Sequence, residues 1–266
     1  MRASGRRAEI AATLRSRPAS VEELAERYQV SLSTIRRDLA RLSTNGEVVR
    51  TYGGALATAP GERSVHEREH LAVAQKTAIA REAERHVHPG QLLLMDAGTT
   101  VGALAARLAS REGLTVVTNG LTTIHALEDA GGVDLVVLGG RVRHVSLGMV
   151  GPLPEAALEG ITADVAFLGA DGVTAARGLC EGTAEQAALK RAMVGCSAHV
   201  VVLADAGKLG NTSSHYWTRL DRPWTLITDD RATEAQLAPF RSLGDVEVVV
   251  AGTRRWSRSA ATHNRQ

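Results

Sequence analysis

Apolar residues recur at helical spacing from the start of the chain, where Ile10, Ala11 and Leu14 give one face to a helix over residues 6–14. After Pro18, Ser20-Val21-Glu22-Glu23 has the form of a capping box, which starts a second helix. That helix carries Leu24 and Ala25 inward and ends near Tyr28. A tight turn through Gln29 and Val30 leads to Ser31, a second N-cap, and to a third helix that stops at Asn45-Gly46. On the third helix Ile35, Leu39 and Leu42 share one face, with Leu32 beside them. Ser33, Thr34, Arg37, Arg41 and Thr44 occupy the opposite face, and Arg36 sits on its shoulder. Glu47 to Tyr52 then reads as a strand, Gly53-Gly54 as its turn and Ala55-Leu56 as a short return, which together make a wing.

Beyond residue 57 the pattern changes. Residues 58–67 are small and polar and read as a linker, followed by an Ala-rich helix from Arg68 to His88 that Pro89-Gly90 stops. Short aliphatic runs then alternate with helical segments: Leu92–Met95, Leu114–Val117, Val133–Leu138, Val165–Leu168, Val200–Ala204, Trp224–Thr228 and Val246–Val250. Continuous apolar strands separated by helices predict a doubly wound, largely parallel α/β sheet covered on both faces. The organisation expected is therefore a winged helix-turn-helix over 1–57, a linker over 58–67, an α/β domain over 68–252 and a disordered tail over 253–266.

Composition refines this picture in three places. Aromatic residues make up only 3% of the chain, so the cores must be aliphatic. Residues 1–57 hold ten Arg against six acids, a net +4 within an overall +2, so the remainder carries −2. A basic N-terminal end suits a polyanion, and a helix with an apolar back and a Ser/Thr/Arg front suits the DNA major groove. Ser31, Ser33, Thr34, Arg36, Arg37, Arg41 and Arg50 are the expected DNA contacts, with Arg50 in the wing against the sugar-phosphate backbone. Two cysteines, Cys180 and Cys196, build neither a disulfide framework nor a metal site. No apolar run reaches the roughly 18 residues of a membrane span, and the expected location is the cytoplasm.

In the second domain nearly every strand ends in a polar, Gly-rich segment, and open parallel sheets bind ligands at the carboxyl ends of their strands. Gly98-Thr99-Thr100 opens a helix, where free N–H groups and the helix dipole favour an anion. Lys190 and Lys208 supply positive charge, while Asp96, Asn119 and Asp171 suit sugar hydroxyls. With Gly139 and Gly140 these residues form the expected pocket for a small phosphorylated polyol. Each also has a plainer reading: Gly98-Thr99-Thr100 as a helix cap, Gly139-Gly140 as a turn, Asp171 as a loop brace, Lys190 as a solvated helix residue. The histidine pairs His66/His70 and His86/His88 lack the carboxylates or cysteines that would complete a metal site, and no cofactor is expected. There is no Gly-x-Ser-x-Gly elbow, Walker loop or strand-linked dinucleotide fingerprint.

The string Val30-Ser31-Leu32-Ser33-Thr34-Ile35-Arg36-Arg37-Asp38-Leu39, with Leu42, Gly46 and Gly53-Gly54-Ala55, resembles the DNA-binding domain of the DeoR family of repressors. The order of Asp96-Ala97-Gly98-Thr99-Thr100, Val117-Thr118-Asn119-Gly120, Leu138-Gly139-Gly140, Gly169-Ala170-Asp171-Gly172, Glu185 with Lys190-Arg191-Ala192-Met193, and Ala204-Asp205 with Lys208 is similar to that family's sensor domain. The resemblance covers about residues 6–250. It implies a fold related to ribose-5-phosphate isomerases and CoA transferases, a phosphosugar effector, and a homo-oligomer, dimer or tetramer, that grips paired DNA half-sites. The chain departs from the family at Tyr52, usually His, at Val101, often Thr, and at Asp205-Ala206-Gly207-Lys208, where Asp-Ser-Ser-Lys is commoner.

Three functions follow for comparison. The first is an effector-controlled repressor of sugar metabolism genes. The second is a sugar-phosphate isomerase-like enzyme with a DNA-binding appendage, for which Asp96, Asp171, Glu181 and Glu185 supply carboxylates. The third is a DNA-binding protein whose second domain only oligomerises. The sequence favours the first, a regulator and not an enzyme.

Overall fold

The computed structural model describes residues 3–16, 19–44, 48–51, 54–57 and 63–253. The N-terminal unit contains α1 (Ala3–Ser16), β1 (Ala19–Ser20), α2 (Val21–Tyr28), α3 (Leu32–Thr44), β2 (Val48–Thr51) and β3 (Gly54–Ala57). Ser20 and Glu23 form the capping box, with Ser20 Oγ accepting from Glu23 N at 3.0 Å and Glu23 Oε2 from Ser20 N at 2.9 Å. Gln29, in the left-handed region at φ 51°, ends α2 and turns the chain toward α3. Strands β2 and β3 pair antiparallel as the expected wing, and β1, which the hydrophobic pattern did not announce, adds a third strand in the order β1-β3-β2. Tyr52, Gly53, Asn45, Gly46, Glu47, residues 58–62 and the tail beyond Thr253 lie outside the described residues. Ile10, Leu14, Leu24, Ile35, Leu39 and Leu42 make the core of this unit.

The second unit runs through α4 (Val65–Glu69), α5 (Val73–Ala83), β4 (Leu92–Met95), α6 (Thr99–Leu108), β5 (Leu114–Thr118), α7 (Leu121–Leu127) and β6 (Val133–Val137). It continues with β7 (Arg141–Arg143), β8 (Gly148–Val150), α8 (Pro152–Glu159), β9 (Ala163–Leu168), β10 (Gly172–Thr174), β11 (Gly178–Glu181) and α9 (Ala184–Gly195). It closes with β12 (Ser197–Leu203), β13 (Tyr216–Thr218), β14 (Trp224–Asp229), α10 (Glu234–Arg241) and β15 (Val246–Ala251). Seven of these strands form one sheet in the order β15-β14-β12-β9-β4-β5-β6, all pairs parallel. Aliphatic clusters pack on both faces, one around Ile79, Leu93 and Leu104, the other around Leu94, Leu168 and Met193.

Two expectations need correction. The helix read over 68–88 is broken: Ala72 sits in the left-handed region at φ 51°, ψ 38°, and separates α4 from α5. Ser64 to Glu67, placed in the linker, instead cap and begin α4, whose Val65 is fully buried and donates its N–H to Val145 O at 2.7 Å. The hairpin β7–β8 and the antiparallel sheet β10-β11-β13 also went unseen, because strands of three or four residues carry too little alternation to register.

The order of the large sheet locates the site. From β4 the chain moves outward to β5 and β6, then returns to β9 on the other side of β4 and proceeds to β12, β14 and β15. The connections therefore diverge between β4 and β9, and a crevice opens at their carboxyl ends.

Candidate functional site

The reading surface of α3 follows from its two faces. Ile35, Leu39 and Leu42 are buried at 0–2% exposure, while Ser31, Ser33, Arg36, Arg37 and Arg41 are exposed and Thr34 is half-buried. Ser31 Oγ accepts from Thr34 N at 3.2 Å and pairs with Ser33 Oγ and Thr34 Oγ1 at 2.9 Å each, so three hydroxyls cluster at the start of the helix. Arg37 Nε donates to Ser33 O at 3.3 Å, which lays its guanidinium along the front of the helix. Arg50 lies on β2 of the wing. Leu32, read as flanking the apolar face, is 40% exposed. Asp38, within the recognition string, points inward: it accepts from Arg6 Nε at 2.7 Å and lies 3.5 Å from Arg7 Nη1, which ties α3 to α1.

In the second unit Asp96 follows β4 directly, and Gly169-Ala170-Asp171 follows β9, at the divergence point. Gly98 caps α6 with φ 145°, ψ 160°, a conformation that L side chains rarely adopt, and offers no side chain to the helix. The first N–H groups of α6, at Thr99, Thr100 and Val101, therefore face the crevice without an intrahelical acceptor. A Cβ on Gly120 would stand 2.7 Å from Ala97 Cα, so only glycine lets the loop after β5 close on the loop after β4. The β7–β8 hairpin folds over this junction: Asn119 Nδ2 donates to Met149 O at 3.1 Å, and Met149 N to Asn119 O at 2.7 Å. Asn119 Oδ1 and Ser146 Oγ are left buried without a partner in the inner cavity.

That inner cavity is small, about 30 Å³, and Lys190 closes its floor. Lys190 is 4% exposed and its ammonium is shared among Asp96, Gly169 O and Glu181 Oε1, the last at 3.0 Å in an ion pair that is off hydrogen-bonding geometry. Burial opposes its charge, but Asp96 and Glu181 outweigh that and hold its pKa above the ordinary lysine value. Burial pushes Glu181 up to about 8, with Lys190 only partly offsetting it. Lys190 thus neutralises its own carboxylates, with two hydrogen bonds and one ion pair already made.

An outer basin of about 810 Å³ adjoins the inner cavity, and Arg68, Thr99, Asp171 and Lys208 line both. Here the charge balance differs. Lys208 Nζ donates to Ala170 O, and Lys76 Nζ to Arg68 O, both backbone acceptors. Among the described residues the only carboxylate within 4.0 Å of any of these three cations is Asp171, 3.6 Å from Arg68 Nη1. Burial, then the neighbouring Lys208, brings Lys76 down to about 8, and burial with Arg68 lowers Lys208. Asp205, which also lines the basin, favours the charge of both lysines without overcoming burial; buried cations with no contacting carboxylate are costly unless an anion joins them.

Of the expected effector residues, Asp96, Gly98, Thr99, Thr100, Asn119, Asp171, Lys190 and Lys208 converge on this crevice. Gly139 and Gly140 do not line either cavity; a Cβ on Gly140 would lie 2.9 Å from both Pro154 Cδ and Val150 O, so Gly140 serves close packing, and Gly139 has positive φ with open space around it. Arg68 and Lys76 were missed because nothing in an Ala-rich helical stretch marks which cations turn inward. Among the described residues no group of three or more His, Cys, Asp or Glu side chains could hold a metal. His86 stacks on His199, 6.4 Å between ring centroids, and not on His88. No helix of the described residues is long and apolar enough to cross a membrane.

The profile of the DeoR-like helix-turn-helix domain matches residues 6–60, and that of the DeoR C-terminal sensor domain matches residues 71–230. A protein of Escherichia coli O157:H7 named for repression of the aga operon is 34% identical over 94% of this chain and 94% of its own length. The transcriptional repressor AccR of Agrobacterium fabrum is 32% identical over 79% of this chain and 83% of its own. The transcriptional repressor GlcR of Bacillus subtilis is 31% identical over 81% and 84%. Among solved structures, ribose 5-phosphate isomerase A of Methanocaldococcus jannaschii aligns over 50% of this chain and 52% of its own, with 19% identity and a TM-score of 0.38, too distant to bear on function.

Proposed function

The chain belongs to the DeoR family of DNA-binding transcriptional regulators, and from that premise we propose that it represses a sugar-related operon in the cytoplasm under control of a phosphorylated sugar. The observation that supports the effector class is the outer basin, where Arg68, Lys76 and Lys208 gather at the ends of the strands with Asp171 and Asp205, of which only Asp171 comes within 4.0 Å of any of the three cations. A phosphate dianion placed there meets three cations and the open N–H groups of α6. A hydroxyl of the polyol reaches toward Asn119 Oδ1 and Ser146 Oγ, buried polar atoms without hydrogen-bond partners. Asp171, half-buried at the neck between the cavities, accepts a hydroxyl.

On the DNA side, Ser33, Thr34 and Arg37 read base edges from the front of α3, while Ser31, Arg36, Arg41 and Arg50 hold phosphates. Residues 1–57 serve as the reading domain and the α/β unit as the sensor. A homo-oligomer presents two α3 helices to paired half-sites. The family relationship and the named repressors support a regulator over an enzyme; the isomerase alternative receives no support from them.

The test is fluorescence anisotropy on labelled DNA from upstream of the protein's own gene. A panel of ribose 5-phosphate, glucose 6-phosphate, fructose 1-phosphate, fructose 6-phosphate and glycerol 3-phosphate is compared with the unphosphorylated parents. One phosphorylated member shifts the operator affinity at constant salt and its parent does not. Tight, specific DNA binding with no response to any member or to inorganic phosphate sinks the phosphosugar reading.

A further inference from the structure

Arg68 stands where the two cavities meet and also belongs to the first described helix that follows the wing in the chain. It lines the inner cavity and the outer basin alike. Its Nη1 points to Asp171 at 3.6 Å, while Nε and Nη2 are buried without an acceptor. Those two nitrogens form one edge of the guanidinium, with parallel N–H groups spaced to meet two oxygens of a single phosphate. A guanidinium edge shielded from water and left unsatisfied is costly until such an acceptor arrives. The vacant pair thus selects a planar-edge, two-oxygen contact, which neither Lys76 nor Lys208 can make.

The placement of α4 gives that contact a destination. This short helix starts at Val65, and the preceding described element is β3 of the wing, which ends at Ala57. Val65 is fully buried and bonded to Val145, next to Ser146 of the inner cavity. At its other end, Arg68 O holds Lys76 Nζ of α5, and the left-handed Ala72 breaks the backbone between the two helices. Thus α4 is fastened to the sensor by contacts that sit on the rim of the crevice, and the chain leading to the wing leaves from it.

We propose that Arg68 is the residue through which effector occupancy reaches the DNA-binding domain: the effector's phosphate takes the Nε–Nη2 edge, and α4 shifts with it about Ala72. This rests on the phosphosugar reading of the same crevice. Asp171, 3.6 Å from Arg68 Nη1, yields the guanidinium to the phosphate and turns to a sugar hydroxyl. An effector held without that edge leaves α4 tied to α5 only through the Lys76 Nζ–Arg68 O bond, so binding and the full response are separable at one side chain.

Hydrogen exchange on the full chain with and without inorganic phosphate tests the first half. Amides of residues 65–69 slow together with those of 98–102 and 205–209 in the wild type, and only the latter two segments slow in Arg68→Ala. If 98–102 and 205–209 slow while 65–69 do not, the coupling role of Arg68 is overturned and the phosphosugar site stands. If no segment responds to phosphate or to any sugar phosphate of the panel, the site and the coupling fall together. The second half uses Arg68→Lys, which keeps the charge but lacks the two-pronged edge. Saturated with the panel member that shifts wild-type operator affinity by about tenfold or more, the lysine variant shifts it less than about twofold. A lysine variant with the wild-type shift at saturation overturns the proposal.

Discussion

On α3 the guanidinium groups of Arg36, Arg37 and Arg41 stand in solvent, whereas in the sensor domain Lys76 and Lys190 are buried and Arg68 and Lys208 are largely withdrawn. Exposed cations cost little to keep, act over a Debye length and are screened by salt, which suits a long polyanion met in many registers. Buried cations act only on what enters their cavity and are barely screened, which suits one small anion in one pose. Within the sensor the contrast repeats. Lys190 is neutralised by Asp96 and Glu181, whereas Lys76 and Lys208 donate to backbone oxygens and Arg68 alone of the three meets a carboxylate, Asp171.

The largest effect expected is on stability. Lys190→Met strands Asp96 and Glu181 in the inner cavity, and urea unfolding should register a loss of about 3–5 kcal/mol. A loss below about 1 kcal/mol would mean that the carboxylates find other partners and that Lys190 is not structural. Next comes Arg37→Ala, for which operator-over-random-DNA discrimination drops by about 1–3 kcal/mol in competition binding. An unchanged ratio would remove Arg37 from base reading.

Lys76 gives a pH signature. Its ammonium is charged below about pH 8 and neutral above, because burial and Lys208 have lowered it from 10.5. A sugar phosphate is already a dianion at pH 7, so its affinity for the sensor falls by roughly tenfold, ~1.4 kcal/mol, between pH 7 and 9.5. Isothermal titration in buffers of different ionisation heat detects the proton taken up near pH 8, and Lys76→Met flattens the profile. The smallest effect belongs to Arg41→Ala, which lowers the log–log salt slope of DNA binding by about 1 and leaves sequence preference alone. Identical slopes in variant and wild type would take Arg41 off the phosphates.

Much of this was legible in the residues themselves. The Ser20/Glu23 cap, the two faces of α3, the wing and the seven parallel strands follow from periodicity and capping chemistry, since long regular patterns record burial faithfully. The crevice was legible too, because Gly-rich polar segments recur where parallel strands end. What escaped depended on contacts distant in the chain. Asp38 looks like one more polar residue of a recognition helix until Arg6 and Arg7 are folded against it. Lys190 and Lys208 are equivalent in sequence, and only Asp96 and Glu181 set them apart. Arg68 was hidden by the helical pattern on both sides of Ala72, whose left-handed turn has no side-chain signature.

The division of α3 bears on how such regulators diversify. Its fixed side is Ile35, Asp38, Leu39 and Leu42, held by the core and by α1, and its free side is Ser33, Thr34, Arg36, Arg37 and Arg41. Among these residues none serves both. On the base-reading role proposed for Ser33, Thr34 and Arg37, substitutions there are expected to change which operator is recognised with little effect on folding, because exposed helix positions are energetically tolerant. On that reading, a duplicated copy of this gene is able to drift to a new promoter one base-facing residue at a time while the same Asp38–Arg6 latch keeps the helix in place.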